Sequence, residues 1–276
     1  MYEVPMLGVG LGYRSELHRP ILQHADAIDW LEVVTDQFIQ TDPAASTKLA
    51  RELHDRFPLV AHGLEMSIGS REPLDESYVS AVLEFAELVG ARWFSDRLCF
   101  TREGGIELGQ LTPVLRTHEA ALEVARRAQQ LQERAGRLFL MENITYYVDI
   151  SGELSEAEFL STVLQHCDSG LLLDLANLYI NSVNHAFDPI EFLESIPLQR
   201  VVQVHLAGGE KSESVFVDSH SYRVHDEVWK LLRYLVERTS VKGVMIERDQ
   251  DFPEDFGEIL ADLQIAREIL RGHGQS

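Results

Sequence analysis

Residues 170–177 have the sequence GLLLDLAN, in which an apolar run ends at a carboxylate, Asp174. Unbroken apolar runs of this length, rather than strict alternation, are typical of parallel strands that helices cover on both faces. Seven other short runs of the same character occur along the chain. We therefore predict strands over residues 7–13, 29–35, 58–63, 91–100, 137–143, 170–177, 200–208 and 243–249.

Segments of helical length separate these eight runs. Three of them begin with a capping side chain followed by a proline, a pair that favours the first turn of a helix: Asp42-Pro43, Thr112-Pro113 and Asp188-Pro189. Ser155 and Glu158 have the spacing of a capping box. Strand–helix alternation repeated eight times predicts an α/β fold, a single (β/α)8 TIM barrel spanning residues 1–276. The alternative is a doubly wound open sheet.

Composition narrows the classes of function. The chain has 24 basic and 45 acidic residues, a net charge of −21, which repels phosphate backbones and makes nucleic acid an unexpected partner. Its 2 cysteines predict neither a disulfide framework nor a zinc ribbon. We see no run of the ~20 apolar residues that a membrane span needs, and no basic segment followed by an apolar one at the amino terminus. We expect a soluble, cytoplasmic protein with no membrane partner.

Histidines and carboxylates follow the apolar runs at matching positions. The strand ends carry His62, Glu142, Asp174, His205 and Glu247, and the loop after the seventh strand adds Asp218 and His220. A charged group at the end of a buried strand is costly to desolvate unless it is paired or bound to a metal. Without a lysine among them, these groups predict divalent cations at the carboxyl ends of the strands, where barrel enzymes have their sites. Oxygen and nitrogen donors suit iron, manganese or zinc alike.

Together these segments resemble the multinuclear non-heme iron-dependent oxidative enzymes (MNIO). The matching segments, in family order, are GLGYR (10–14), His62-Gly63 with SIGS (67–70), MEN (141–143), LLDLAN (172–177), NHAFDP (184–189), HLAG (205–208), DSH (218–220) and IERD (246–249). The resemblance implies a TIM barrel of the xylose isomerase and endonuclease IV type. It also implies activation of dioxygen at iron and oxidation of cysteine or other residues in ribosomally made peptides, for which several relatives use a separate leader-binding partner protein.

The resemblance further implies a set of metal ligands. Glu142 would bridge two metals, one site being completed by Asp174, His205 and Glu247, another formed by Asn177, Asp218 and His220, and the remaining one by His62. We predict catalytic roles for Glu142, Asp174 and Arg97 and substrate contacts for Arg14, Arg97 and His185.

One position departs from the family pattern. Relatives usually have a histidine ligand at the end of strand four, where this chain has Arg97 in the stretch Ser95-Asp96-Arg97-Leu98. Because arginine stays protonated, it cannot ligate a metal. We therefore expect two iron ions, or three if Asp96 or another residue supplies the missing donor. Arg97 would otherwise replace the cation electrostatically and hold Glu142 or a substrate carboxylate.

These observations support one leading hypothesis and two alternatives. The leading one is a dioxygen-dependent non-heme iron oxidase that modifies a cysteine-containing peptide, or a related small amino-acid substrate, in natural-product biosynthesis. The first alternative is a redox-neutral barrel enzyme, a sugar isomerase, epimerase or hydrolase, with manganese, magnesium or zinc. The second is a non-catalytic binding protein with a degenerate metal site, an interpretation that rests on Arg97.

Overall fold

Eight parallel strands close into a barrel in the computed structural model, which describes residues 4–150, 152–212 and 215–273. Four further strands form two separate two-stranded sheets, β5 with β6 and β10 with β11. In chain order all twelve described strands are β1 Gly8–Gly12, β2 Trp30–Val34, β3 Leu59–His62, β4 Trp93–Arg97, β5 Cys99–Glu103, β6 Ile106–Pro113, β7 Leu138–Glu142, β8 Gly170–Asp174, β9 Val201–Leu206, β10 Gly208–Ser212, β11 Val215–Tyr222 and β12 Gly243–Ile246. The order around the barrel is β1-β12-β9-β8-β7-β4-β3-β2. The predicted TIM barrel is therefore confirmed, and the open-sheet alternative is wrong.

Helices follow the barrel strands and cover the outside of the sheet. They are α1 His18–Gln23, α2 Thr35–Ile39, α3 Pro43–His54, α4 Glu76–Leu88, α5 His118–Ala135, α6 Glu156–Gln165, α7 Leu175–His185, α8 Pro189–Ser195, α9 Asp226–Val236 and α10 Gly257–His273. Short 3-10 turns lie at Ser15–Leu17, Ala25–Ala27 and Leu198–Arg200. None of the helices in the described part of the chain has the length and apolar character to cross a bilayer.

Most of the predicted helix starts are confirmed by their capping geometry. The Asp42 carboxylate accepts a hydrogen bond from the Ala45 amide at the start of α3, and Asp188 caps α8 in the same way. Ser155 and Glu158 form the reciprocal capping box of α6. These caps satisfy amide groups that the first helical turn leaves without partners.

The prediction of a helix start at Thr112-Pro113 is wrong. Pro113 is the last residue of β6, which pairs antiparallel with β5 in a hairpin outside the barrel. The chain reverses at Gly104 and Gly105, both of which have positive φ. Helix α5 begins five residues later, where the Thr117 side chain accepts from the Ala120 amide at 3.1 Å.

All eight predicted strands are shorter in the structure, and two of them change for a clear local reason. The run 91–100 divides, because β4 ends at Arg97 and the Leu98 amide donates to the Glu142 carbonyl at 2.8 Å before β5 begins. The run 170–177 ends at Asp174, and residues 175–177 already belong to α7. Asp174 causes this change, since its carboxylate accepts from the Asn177 amide at 2.8 Å and caps the helix.

The inner face of the barrel changes from apolar to polar along each strand. Trp30 and Trp93 fill the amino-terminal half of the bore with their ring centroids 6.3 Å apart, and neither is exposed. A Cβ at Gly10 would lie 2.4 Å from the Trp30 ring, so only glycine fits opposite this side chain. Since successive side chains alternate between the two faces of a strand, the residue two positions after Trp30 also faces the bore. That residue is Glu32, and it begins the polar half.

Candidate metal centre

The polar half of the bore collects acidic and imidazole side chains from six strands or strand ends. These buried residues, each at most 4% exposed, are Glu32 on β2, His62 on β3, Glu142 on β7, Asp174 on β8, His205 on β9 and Glu247 directly after β12. In a parallel barrel the carboxyl ends of all strands meet at one mouth. Residues that are far apart in sequence therefore point into one small volume.

The first group of potential ligands is Glu142, Asp174 and His205. Each offers one donor atom, and the three atoms lie within 4.8 Å of one another. His205 Nδ1 lies 3.0 Å from Glu142 Oε1 and 3.4 Å from Glu247 Oε2. Distances of this size let three or four side chains converge on a single ion.

A second group, Asp174, His220 and Glu247, satisfies the same 4.8 Å criterion. His220 Nδ1 lies 3.4 Å from Glu247 Oε2, and His220 Nε2 lies 2.6 Å from Asp218 Oδ1. The backbone of His220 has a φ of 48°, a left-handed conformation that costs free energy for a residue with a side chain. Asp174 belongs to both groups, so its carboxylate lies between two adjacent places where a cation would fit.

Several buried polar atoms of these residues make no well-aligned hydrogen bond within the described ranges, although some of them lie as close as 2.6 Å to another polar atom. They are Glu142 Oε2, Asp174 Oδ2, His205 Nδ1, Asp218 Oδ1 and His220 Nε2. Buried polar atoms in folded proteins nearly always have partners. Carboxylate oxygens and imidazole nitrogens that lack them, and that converge, form a donor set that fits divalent metal ions such as iron, manganese or zinc.

The charges in the centre perturb one another strongly. Burial raises the pKa of Asp174 to about 8, and the neighbouring Glu142 charge adds to this effect. Burial lowers the pKa of His205, but the adjacent carboxylates, with Glu32 first, outweigh it and raise the pKa well above the ordinary value. Asp218 and Glu247 likewise outweigh the effect of burial on His220 and raise its pKa well above the ordinary value. The imidazoles therefore hold protons that a cation would displace.

Glu32 orients His205, and the sequence analysis missed it. Glu32 Oε2 lies 3.0 Å from His205 Nε2. The Gln203 amide also donates to Glu32, while the Trp93 ring nitrogen donates to Gln203 Oε1 at 2.6 Å. With Nε2–H donating to Glu32, Nδ1 is the nitrogen that faces Glu142 and Glu247, and loss of its proton would leave a lone pair there for a cation. A carboxylate behind a ligating histidine fixes its tautomer and ring orientation in many metal sites.

Arg14 is held by carboxylates of the centre. Its Nη2 lies 3.0 Å from Glu247 Oε1 and also contacts Asp249, while Nη1 donates to the Tyr13 carbonyl at 2.8 Å. Asp249, also missed in the sequence, has Oδ2 3.3 Å from His220 Nδ1. The IERD segment contains both Glu247 and Asp249, so their spacing of two was the available signal.

Two other predicted residues make structural contacts. The Asn177 side chain accepts from the Thr145 hydroxyl at 2.6 Å and donates to the Asn143 carbonyl at 3.0 Å. These contacts tie the first turn of α7 to the loop after β7. His185, at the end of α7, has Nε2 2.8 Å from the Tyr146 carbonyl and stacks on the Tyr146 ring with a centroid distance of 4.5 Å. Its ring therefore lies against the same loop.

A cleft of about 650 Å³ opens beside the centre, and His62, Arg97 and Glu247 form its inner end. His62 Nε2 lies 3.4 Å from Glu142 Oε2, and Arg97 Nε lies 3.7 Å from the same oxygen. Asp96 is fully buried and accepts from the backbone amides of Arg97 and Met66. Arg97 thus adjoins Glu142 on the cleft side.

Comparison with known proteins agrees with the barrel fold. A protein from Acaryochloris marina named only as a UPF0276 protein is 33% identical over 267 residues, which are 96% of either chain. Among solved structures, a xylose isomerase domain-containing protein from Salmonella typhimurium superimposes with a TM-score of 0.63 at 14% identity over 98% of this chain and all of that one. Endonuclease IV from Thermus thermophilus superimposes with a TM-score of 0.57 at 18% identity, over 97% and 100% of the two chains.

The structural neighbours establish the fold alone, since their identity to this chain is low. The family model for the "RiPP precursor modification enzyme MbnB/TglH/ChrH", where RiPP denotes a ribosomally made and modified peptide, matches residues 8–271. This match confirms the MNIO resemblance predicted from the motifs. The chain therefore belongs to the MbnB/TglH/ChrH family of RiPP precursor modification enzymes.

Proposed function

We propose that this protein is a dioxygen-dependent non-heme iron oxidase that modifies a cysteine-containing, ribosomally made peptide or a related small amino-acid substrate. The observation that carries the proposal is the pair of ligand groups that share Asp174. Two adjacent cation positions with only oxygen and nitrogen donors suit a two-iron centre. Family membership supports the peptide as the class of substrate.

Two sets of residues would hold the ions. Glu142, Asp174 and His205 would hold one, and Asp174, His220 and Glu247 the other, with Asp218 next to His220. His62 and Asn177 remain proposed ligands on the periphery of these sets. Iron bound there would supply redox chemistry with dioxygen, which protein side chains alone do not supply, and would lower the pKa of a substrate thiol.

The chain's own residues position these groups and manage protons. Glu32 keeps one proton of His205 on Nε2, so Nδ1 is the nitrogen that would release its proton and bind a cation. Arg14 holds Glu247 and Asp249 in place, and we assign it this role rather than contact with the substrate. Burial raises the pKa of Asp174 to about 8, and its carboxyl group would have to release its proton to ligate a cation.

The substrate would enter through the cleft that His62 and Arg97 close at its inner end. Its volume of about 650 Å³ lies within the ~300–1,000 Å³ of ordinary small-molecule pockets. A peptide chain would therefore place one or two side chains in it, while the rest of the peptide lies outside. We propose that a separate leader-binding protein delivers the peptide, as resemblance to the family implies.

The test is reconstitution of the full chain with ferrous iron and incubation with a cysteine-bearing precursor peptide encoded near its gene. We expect a mass change in the peptide only when both iron and dioxygen are present. Asp174→Asn should abolish it, and the matched change Asp168→Asn, at an exposed position, should not. Undiminished product without dioxygen would sink the oxidase proposal. Full turnover with zinc in place of iron would instead indicate the redox-neutral alternative.

A further inference from the structure

Arg97 presents unused hydrogen-bond donors to the cleft. Within the described residues its side chain forms one ion pair, with Glu142, in which Nε lies 3.7 Å from Oε2, too far for a hydrogen bond. The charges of Glu247 and Asp96 also act on it from further away. The side chain is 23% exposed and lines the cleft. A guanidinium carries five N–H donors in a planar fork. Arg97 lines the cleft, and no group among the described residues accepts a hydrogen bond from these donors.

The other cation that lines the cleft is already neutralised. Arg14 pairs with both Glu247 and Asp249 and also donates to a backbone carbonyl. The outer walls include apolar side chains of β2, α2 and α3 and the loop after β3, namely Val34, Phe38, Leu49 and Leu64. Among the described residues that line it, the cleft therefore combines an apolar wall with one uncommitted guanidinium, that of Arg97, at its inner end.

We infer that Arg97 binds a carboxylate of the substrate directly beside the metal centre. The fork of the guanidinium matches the two oxygens of a carboxylate. A doubly charged phosphate fits less well, because Glu16, Glu247 and Asp249 also line the cleft and repel a second negative charge. The inference deepens the proposed function. It rests on that function only in taking the bound carboxylate to be part of the substrate.

This contact would determine which residue of the substrate lies beside the metal centre. A terminal carboxylate held by Arg97 places the last residue of a peptide at the inner end of the cleft, next to His62 and Glu142. A carboxylate from an acidic side chain would place an internal residue there instead. Arg97 would recognise a terminal and a side-chain carboxylate in the same way. The probe that binds therefore distinguishes the two sources.

The test is calorimetric titration of the full chain in oxygen-free buffer, both as purified and after chelation of its metal. The probes are N-acetylcysteine, N-acetylcysteine amide, methyl phosphate, and the dipeptide N-acetyl-Cys-Asp amide, whose carboxylate is on a side chain. We expect the acid to bind about tenfold tighter than its amide, which corresponds to one charge-assisted contact. Arg97→Gln should remove this preference. The matched control is Arg102→Gln, because Arg102 lies on the neighbouring β5–β6 hairpin and pairs with Asp75. This variant should keep the preference for the acid.

Each remaining outcome decides the matter. Arg97-dependent binding of the dipeptide alone would assign the carboxylate to an acidic side chain. No Arg97-dependent binding of either N-acetylcysteine or the dipeptide, or a preference that survives Arg97→Gln, overturns the inference, and tighter binding of methyl phosphate overturns the choice of carboxylate. Loss of metal from Arg97→Gln with the preference intact would make Arg97 a positioning residue for Glu142. Oxygen-dependent turnover without any preference would leave the proposed function standing and the inference refuted. Arg97-dependent binding without oxygen consumption would do the reverse.

Discussion

At the scale of single residues, Glu32 offers the sharpest test of how the centre is held. Its carboxylate is completely buried and accepts from His205 Nε2 at 3.0 Å. We expect Glu32→Gln to weaken metal binding by about 10–100-fold, since the new amide can donate to Nε2 and turn the proton onto Nδ1. Competition against a chelator of known affinity measures the change.

The matched control is Glu119→Gln, because Glu119 is an exposed residue in the first turn of α5. It should leave the metal affinity unaltered. If Glu32→Gln binds metal as tightly as the parent chain, His205 does not depend on its buried carboxylate, and the tautomer assignment fails.

The same residue shows what could be predicted from sequence. His62, Glu142, Asp174 and His205 each end an apolar run and were recognisable for that reason. Glu32 lies inside its run, where a polar residue is easily taken for one on the outer face of a strand. Trp30, two positions earlier, lies on the same face of the strand, but only the closed barrel shows that this face lines the bore. The sequence likewise does not show that Asp174 belongs to both groups of potential ligands, because this depends on distances between side chains of different strands.

At the scale of elements, the junction between β8 and α7 gives Asp174 two functions. One oxygen caps the helix by accepting from the Asn177 amide at 2.8 Å, and the other is unpartnered within the described ranges. Asparagine caps helices as well as aspartate does, whereas alanine costs about 1 kcal/mol. We therefore expect Asp174→Asn to lose metal but not stability, and Asp174→Ala to lose both.

Urea unfolding of the metal-free chains, together with elemental analysis of the loaded ones, separates the two functions. An asparagine variant that is as unstable as the alanine variant would mean that the charge, not the cap, supports the junction. An asparagine variant with full metal content would remove Asp174 from the ligand set.

The start of α6 predicts a dependence of stability on pH. Burial raises the pKa of Glu156 to about 7 from an ordinary value of 4.5, although Arg116 opposes this shift. Between these values the folded chain keeps the proton while the unfolded chain loses it, so stability falls as pH rises through this window. Glu156→Gln mimics the protonated form and should be roughly 2 kcal/mol more stable than the parent at pH 8 and equal to it at pH 4. Urea unfolding at both values measures this, and the same offset at both would refute it.

The elements that sequence analysis misplaced lie where tertiary structure overrides local signals. Thr112-Pro113 has the chemistry of a helix start, yet Thr112 pairs with Phe100 across a hairpin. Pairing partners on the other side of a turn are not visible in a local pattern. The caps at Asp42, Ser155 and Asp188 were predictable because each depends on residues within three positions of itself.

At the scale of the whole molecule, the barrel explains why the centre needs the complete fold. Glu142 and Glu247 are 105 positions apart in the sequence, yet both lie within 3.4 Å of His205 Nδ1. Closure of β12 against β1 and β9 brings them together. With a net charge of −21, the chain also concentrates negative charge that a bound cation relieves. Metal binding and barrel closure should therefore be coupled.

This coupling predicts that removal of metal lowers the thermal unfolding temperature of the full chain. A ligand present at about 100 times its dissociation constant stabilises a fold by ~2.7 kcal/mol. For a chain of this size that corresponds to a shift of about 5–10 °C. We expect one cooperative transition before and after chelation, because we predict a single domain over residues 1–276 and the carboxyl ends of β7, β8 and β9 supply ligands to one centre. Differential scanning calorimetry measures both the shift and the number of transitions, and Asp174→Asn should show no shift on chelation. An unchanged midpoint after confirmed metal loss, or a second transition, would mean that the centre and the barrel are independent.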